Sequence, residues 1–264
     1  MNTARNHARP TALITGASVG IGYELAKVFA RSGYDLVLVA RDQEKLKQVA
    51  LECNGLGARS RIVPKDLSVP GAPQEIFDEL AKDGVQVDVL VNNAGFGTHG
   101  PFAQIDCDAD LRLLQVNIVA LTHLTKLFLR DMLGRRHGKI LNVASMAAFQ
   151  PGPLMATYYA SKAYVLHFSE AVAQEVAGYG IVVTALCPGP VKTEFFKRAG
   201  IEGSRLFHGG AMDAAAVALA GYHGLMGGRR LVIPGASNKL LRLASRLAPR
   251  RLTIWSAAKL NEVH

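Results

Sequence analysis

The sequence is poor in cysteine, in aromatic residues and, towards its C-terminus, in acids. Its three cysteines, Cys53, Cys107 and Cys187, are too few and too scattered for a disulfide framework or a zinc site, and they suit a reducing compartment. The eight histidines show no metal-ligand spacing. Asp106, Asp108 and Asp110 begin like a calcium loop, but the sixth position is Leu111 where glycine is needed and the twelfth is Asn117 where glutamate is needed. These acids are expected to cap the helix that follows, and no metal is expected. No apolar run approaches the ~18 residues that span a bilayer. The basic start before TALITGASVGIG is followed by no small-residue cleavage site, so a cytoplasmic protein is expected. Aromatics make up 7% of the chain, and no aromatic or basic motif supports nucleic-acid binding.

Acids are scarce in one place only. From Arg229 to the end there are eight Lys/Arg against the single acid Glu262, so this stretch carries +7 of the +9 net charge. The basicity therefore belongs to the tail and says little about the core.

What remains is a chain of 264 residues, 49% hydrophobic, large enough to bury a substantial core within one domain spanning 1–264. Apolar runs at 12–15, 35–40, 59–63, 87–91, 139–144, 181–187 and 230–234 read as strands. Their hydrophobicity is continuous, as in strands covered on both faces of a parallel sheet. Helical periodicity lies between them, at 21–32, 43–53, 73–83, 109–134, 156–178 and 213–226. This alternation predicts an α/β fold, a doubly wound parallel sheet of about seven strands with helices on both faces.

The first strand ends in Thr15-Gly16-Ala17-Ser18-Val19-Gly20-Ile21-Gly22 and leads into a helix. Glycines there let the backbone turn sharply and approach a pyrophosphate whose charge sits at the helix N-terminus. A G-x-x-x-G-x-G spacing arises by chance in roughly one chain in four at this glycine content, so its place between strand and helix is what carries weight. Tyr158 and Lys162 lie four apart on a predicted helix and share a face, where an ammonium favours phenolate and lowers the phenol's pKa. Tyr159 points about 100° away and cannot share Lys162. Ser145 follows the fifth strand, at the edge of the sheet where ligands are contacted, and its hydroxyl suits a carbonyl oxygen.

Taken together and in order, Thr15-Gly16-x-x-x-Gly20-x-Gly22, Asn92-Asn93-Ala94-Gly95, Asn117, Ser145, Tyr158-x-x-x-Lys162 and Pro188-Gly189-x-Val191-x-Thr193 resemble the short-chain dehydrogenase/reductase family. The thirteen-residue separation of Ser145 and Tyr158 matches it too, and the resemblance runs from about residue 10 to 195. It implies an oxidoreductase that moves a hydride between a nicotinamide dinucleotide and a carbonyl or secondary alcohol. By the same resemblance, Tyr158 is the general acid or base, Lys162 tunes it and holds the nicotinamide ribose, and Ser145 positions the reacting oxygen. Asn117 is implied to hold a water of a proton relay. Gly16, Ser18, Gly20, Ile21 and Gly22 form the phosphate loop, Asn93, Ala94 and Gly95 line the adenosine side, and Leu67 lies beside Asp66, which resembles the adenine contact. Pro188, Gly189, Val191 and Thr193 anchor the carboxamide. A homodimer or homotetramer is common in the family and is expected here.

An acid after the second strand would bind an adenosine ribose hydroxyl and repel a 2′-phosphate. Here Arg41 follows Ala40, and a guanidinium suits the phosphate, so NADP(H) is expected over NAD(H); Asp42 is read as a helix cap. Met146, Phe149, Leu154, Met155, Phe195, Phe196 and Phe207 suggest an apolar substrate pocket, whereas Lys192, Arg198 and Arg205 would suit an acidic substrate such as a 3-oxoacyl thioester. A non-catalytic dinucleotide-binding regulator is the rival from another class. In the tail, 236–264, Lys239, Arg242 and Arg246 share one face and Leu240, Leu243 and Leu247 another. A terminal helix docked by its leucines is expected, the other reading being contact with an anionic membrane or an acidic partner.

Overall fold

The structure, a computed structural model, describes residues 9–195, 200–201 and 210–262. Seven strands form one parallel sheet: β1 (Thr11–Thr15), β2 (Asp35–Ala40), β3 (Ser60–Pro64), β4 (Val89–Asn92), β5 (Gly138–Val143), β6 (Ile181–Leu186) and β7 (Leu231–Val232). Their spatial order is β3-β2-β1-β4-β5-β6-β7. The order reverses between β1 and β4, and the crevice at that switch point is where such sheets bind ligands.

Continuous burial along the strands reflects helices on both faces. Leu36 and Leu38 of β2 point with Ala12 and Ile14 of β1 towards α1 (Gly20–Arg31), α2 (Gln43–Gly55) and a later helix, Ala214–Met226. Leu13, Val37 and Val39 point the other way, towards α3 (Ala72–Lys82) and the helices between β4 and β6. Between the strands, Asn92 donates to Thr125 Oγ1 at 3.0 Å and Asn142 Oδ1 at 2.9 Å, and Asn142 donates to Ser169 Oγ at 2.9 Å. This buried chain pairs amide donors that would otherwise be costly in the core, and leaves Asn92 Oδ1 without a partner among the described residues.

The expected single helix over 109–134 is two helices, α4 (Cys107–Leu114) and α5 (Leu121–Arg135), joined by a π-helical turn at Gln115–Ala120. The extra residue of that turn is where Asn117 leaves the regular period to hydrogen-bond with another loop, a common reason for π-turns at functional sites. Asp106 caps α4 by accepting from Ala109 N at 3.1 Å, and Asp42 caps α2 by accepting from Lys45 N at 3.0 Å, as read from sequence. Asp110 does something else. It is buried and accepts from Thr98 Oγ1 at 2.6 Å and Thr157 Oγ1 at 2.8 Å, tying α4 to the start of α6 (Ala156–Glu175).

Beyond α7 (Ala214–Met226) and β7 the tail forms α8 (Ala236–Leu247) and α9 (Arg250–Asn261). The expectation that leucines dock this segment is wrong. Leu240, Leu243 and Leu247 are exposed, and the inward face of α8 carries Asn238, Leu241 and Ser245. Asn238 donates to Pro234 O at 2.8 Å, and α9 is held by buried Thr253, Ala257 and Asn261. Polar hooks, which a hydrophobic-period reading passes over, decide which way these helices face.

Candidate active site

The glycine turn is built by close approach. Gly16 and Gly20 adopt φ +65° and +60°, and a Cβ on Gly16 would lie 2.9 Å from Ala94 Cα. A Cβ on Gly22 would overlap the Gly16 carbonyl oxygen and the Asn93 amide. Thr15 holds the turn against the end of β4: its Oγ1 donates to Val91 O at 3.2 Å and accepts from the backbone N–H of Asn93 at 2.9 Å and of Ala94 at 3.0 Å. Asn93 Nδ2 donates back to Thr15 O at 2.9 Å. A backbone cradle of this kind accepts a pyrophosphate at the N-terminus of α1 and would be closed by any side chain, so the residues present fit a dinucleotide.

The cradle opens into a cleft of about 610 Å³. At one end stand Arg41, Asp66 and Leu67, with Lys65 beside them; at the other stand Ser145, Tyr158 and Lys162. Gly16, Ser18, Gly20, Ile21, Asn93, Ala94, Gly95, Pro188, Val191 and Thr193 line the stretch between. Three of the sequence-predicted residues do not line it. Gly22 packs behind the turn, Gly189 faces a second cavity, and Asn117 lies in the wall. Arg41 and Asp66 approach to 4.0 Å with both side chains open to solvent, and Asp66 also accepts from Ser68 N at 2.9 Å. That bond is an Asx turn, so Asp66 does not cap α3. Arg112 lines the cleft as well and was not foreseen; it sits on α4, whose sequence gives no sign of facing a ligand.

Lys162 is buried and donates to Val143 O at 2.9 Å. Its Nζ is 5.8 Å from the centre of the Tyr158 ring. Desolvation lowers its pKa to about 8, with the neighbouring Cys187 pulling weakly the other way. Asn117 and Lys162 converge on Gly95, where a Cβ would lie 3.0 Å from Asn117 Oδ1 and 3.4 Å from Lys162 Nζ. Asn117 itself accepts from Phe96 N at 3.2 Å and donates to Phe96 O and Ser161 Oγ, both at 3.0 Å.

The phenol of Tyr158 departs from expectation. Burial raises its pKa above the ordinary value, and the hydrogen bond with Ser145 opposes this; Lys162 contributes no lowering. Desolvation of the buried phenol outweighs the Ser145 hydrogen bond, while Lys162 donates to the Val143 carbonyl. Ser145 also accepts from Ala147 N at 3.1 Å, so it caps the short 3₁₀ turn Met146–Phe149 and faces the cleft at once.

The second cavity, about 110 Å³, is apolar. Met146, Phe149, Met155 and Phe195 line it, as the sequence suggested. Leu154 does not; it sits at φ +67° with its carbonyl accepting from Gly100 N at 2.8 Å. Lys192 lines neither cavity, and Phe196, Arg198, Arg205 and Phe207 lie outside the described residues. Sequence reading missed the far wall, made by Asn238, Leu241 and Ser245 of α8 and Leu260 of α9. Ser145, Tyr158 and Phe195 belong to both cavities. The two hydroxyls therefore stand at the junction of a polar cleft and an apolar pocket.

Sheet order, glycine cradle, Ser145 just after β5, and Tyr158 and Lys162 on α6 define a doubly wound, Rossmann-type protein. The sequence profile of the short chain dehydrogenase family matches residues 10–202, and the chain belongs to that family. It is 36% identical over 193 residues to a very-long-chain 3-oxoacyl-CoA reductase from Anas platyrhynchos, covering 70% of this chain and 61% of that protein. The first curated relatives it matches are thus spanned over only about 60% of their length. Among solved structures, a short-chain dehydrogenase from Sphingobium yanoikuyae in complex with NADPH superimposes with a TM-score of 0.81 at 33% identity, covering 90% of this chain and 93% of that one. A bulky-bulky ketone specific alcohol dehydrogenase from Comamonas testosteroni gives 0.76 at 30% identity, with the same coverages.

Proposed function

We propose that this chain reduces the carbonyl of an apolar ketone or aldehyde, and oxidises the corresponding alcohol, with NADP(H) as the preferred dinucleotide. The observation that carries this reading is the shared position of Ser145 and Tyr158 between the two cavities. A carbonyl carbon held in the apolar pocket would place its oxygen against both hydroxyls while its face is turned to the cleft. Nicotinamide bound in the cleft supplies the hydride in reduction and takes it up in oxidation. Tyr158 donates its phenolic proton to the developing alkoxide, and Ser145 donates a second hydrogen bond that orients the oxygen. Burial raises the phenol further above neutral pH, so Tyr158 carries the proton that reduction requires. In oxidation Tyr158 must act as phenolate, which requires positive charge nearby; Lys162 is the cation available. Asn117, packed with Lys162 on Gly95, is suited to hold a water that carries that proton outward from Lys162.

Arg41 at the far end of the cleft supports the 2′-phosphate preference, since a guanidinium gives charge-assisted hydrogen bonds to phosphate. The NADPH complex of the Sphingobium yanoikuyae relative is in line with it. For the substrate, the apolar pocket of about 110 Å³ receives a small apolar group beside the reacting carbon, since a ~150 Å³ cavity is what holds benzene. The Comamonas testosteroni relative supports a ketone as the reacting group, though not the small size of this pocket. A panel of aromatic and aliphatic ketones, aldehydes and acyl thioesters, followed by loss of NADPH absorbance, identifies the class. Tyr158→Phe is expected to lower turnover by a factor of about 10³ or more while NADPH affinity stays nearly unchanged. Activity within about tenfold of the parent would remove the acid role from Tyr158.

A further inference from the structure

The tail turns two faces in opposite directions. On α8 the inward face lines the apolar pocket, and the outward face presents Leu240, Leu243 and Leu247 at 69, 55 and 77% exposure. These leucines fall within one helical stripe, since steps of three and four residues return to the same side. On α9, joined to it through Ala248-Pro249, Leu252 and Trp255 are likewise more than half exposed, on the side opposite buried Thr253, Ala257 and Asn261. A monomer rarely leaves this much large apolar side chain in water without a partner for it.

Cations accompany the apolar stripe. Lys239, Arg246, Arg250 and Arg251 are exposed and have no ion-pair partner among the described residues, while Arg242 lies over the Phe149 ring at 5.4 Å and Lys259 pairs with Glu262 at 2.9 Å. Exposed leucines and a tryptophan bordered by arginine and lysine are complementary to an anionic lipid surface. There the apolar side chains enter the acyl boundary, the indole sits at headgroup level, and the cations meet phosphates. A second copy of the chain fits poorly, because pairing these faces would bring the same unpaired cations together in both subunits. No helix among the described residues is long and apolar enough to cross a membrane, so the contact is peripheral.

We infer that the outward face of α8 and α9 docks the protein on bilayers rich in anionic phospholipid. The chain carries its own reporter, because Trp255 is the only tryptophan in the sequence. The full-length protein is titrated with vesicles of phosphatidylglycerol and phosphatidylcholine, and in parallel with phosphatidylcholine alone. Docking predicts a blue shift of Trp255 emission, quenching by brominated acyl chains, and co-sedimentation, all with the anionic vesicles and all reversed by high salt. Leu243→Ser/Leu247→Ser should weaken partitioning about tenfold or more per leucine while leaving the melting temperature and NADPH affinity unchanged. Trp255 emission that ignores anionic vesicles overturns the inference and leaves an acidic protein as the occupant. Equal partitioning into the uncharged vesicles overturns it too, as does a lipid-free blue shift that grows with protein concentration.

Discussion

Asn261 is the residue on which the tail's closure of the substrate pocket rests. It is fully buried at the end of α9, accepts from the Tyr159 hydroxyl at 3.1 Å, donates to Pro153 O at 2.8 Å, and its backbone oxygen lies 2.8 Å from His99 Nε2. Asn261→Ala leaves the buried Tyr159 hydroxyl and the half-buried Pro153 carbonyl without this partner, so a loss of roughly 1–3 kcal/mol is expected, most of it at Tyr159. The other buried side chains of α9 are the small Thr253 and Ala257, which hold it to the body with little apolar area. The cost therefore falls on local opening of α9 and not on the sheet. Two kcal/mol corresponds to about a thirtyfold rise in the open population, and protease cleavage within α9 should accelerate by that factor. Leu260 leaves the pocket wall with the helix, so the Michaelis constant for an apolar ketone should rise. NADPH affinity should stay constant, because no residue of α8 or α9 lines the dinucleotide cleft. Cleavage rate and Michaelis constant both within about twofold of the parent would refute the clamp.

Three further perturbations probe the cleft. Arg41→Ala should raise the Michaelis constant for NADPH far more than for NADH, measured by steady-state kinetics with each; equal changes would show that Arg41 does not read the 2′-phosphate. Gly22→Ala should cost about 1–3 kcal/mol and abolish NADPH binding in calorimetry, since the obstructing atoms are the Gly16 carbonyl and an amide already committed to Thr15 O; a variant that binds normally would contradict the cradle. For Lys162, folding lowers the pKa from 10.5 to about 8, so between those values the unfolded chain holds a proton that the native one lacks. Stability from this group must then rise with pH, by up to about 1.4 kcal/mol per unit, and Lys162→Met should remove that slope in urea unfolding between about pH 8 and 9.5. The raised phenol of Tyr158 works in the opposite direction only above about 10, outside this window. Identical slopes in parent and variant would refute the buried-lysine reading.

Much of the sheet was legible because strands covered on both faces write themselves as uninterrupted Val, Ile and Leu runs. Each of the seven expected runs contains or overlaps an observed strand. The glycine turn was legible for a related reason: positive φ at Gly16 and Gly20 and the contact at Gly22 exclude other residues, so the constraint leaves a spacing behind. Other features leave none. The π-turn at Asn117 depends on a hydrogen bond to Phe96, twenty-one residues away, and local periodicity reads straight through it. The phenol's environment was misread in the same way. Spacing puts Tyr158 and Lys162 on one face, but only the fold shows the ammonium drawn to the Val143 carbonyl.

The tail shows the physical origin of the largest misreading. A leucine stripe on a terminal helix is ordinarily taken as the side that packs, because burial of apolar area is the strongest term available. In α8 and α9 the inward sides are instead selected by Asn238, which donates to the Pro234 carbonyl, and by Asn261, which links Tyr159 and Pro153. An unmatched buried amide costs about 1–3 kcal/mol, comparable to what burying one leucine gains, so the engaged amides weigh directly against the stripe. Once these amides are engaged, Leu240, Leu243 and Leu247 have no choice but to face outward. Asn238 and Asn261 therefore explain two things together. They complete the pocket in front of Tyr158, and they free the opposite face for a surface that the globular body does not supply.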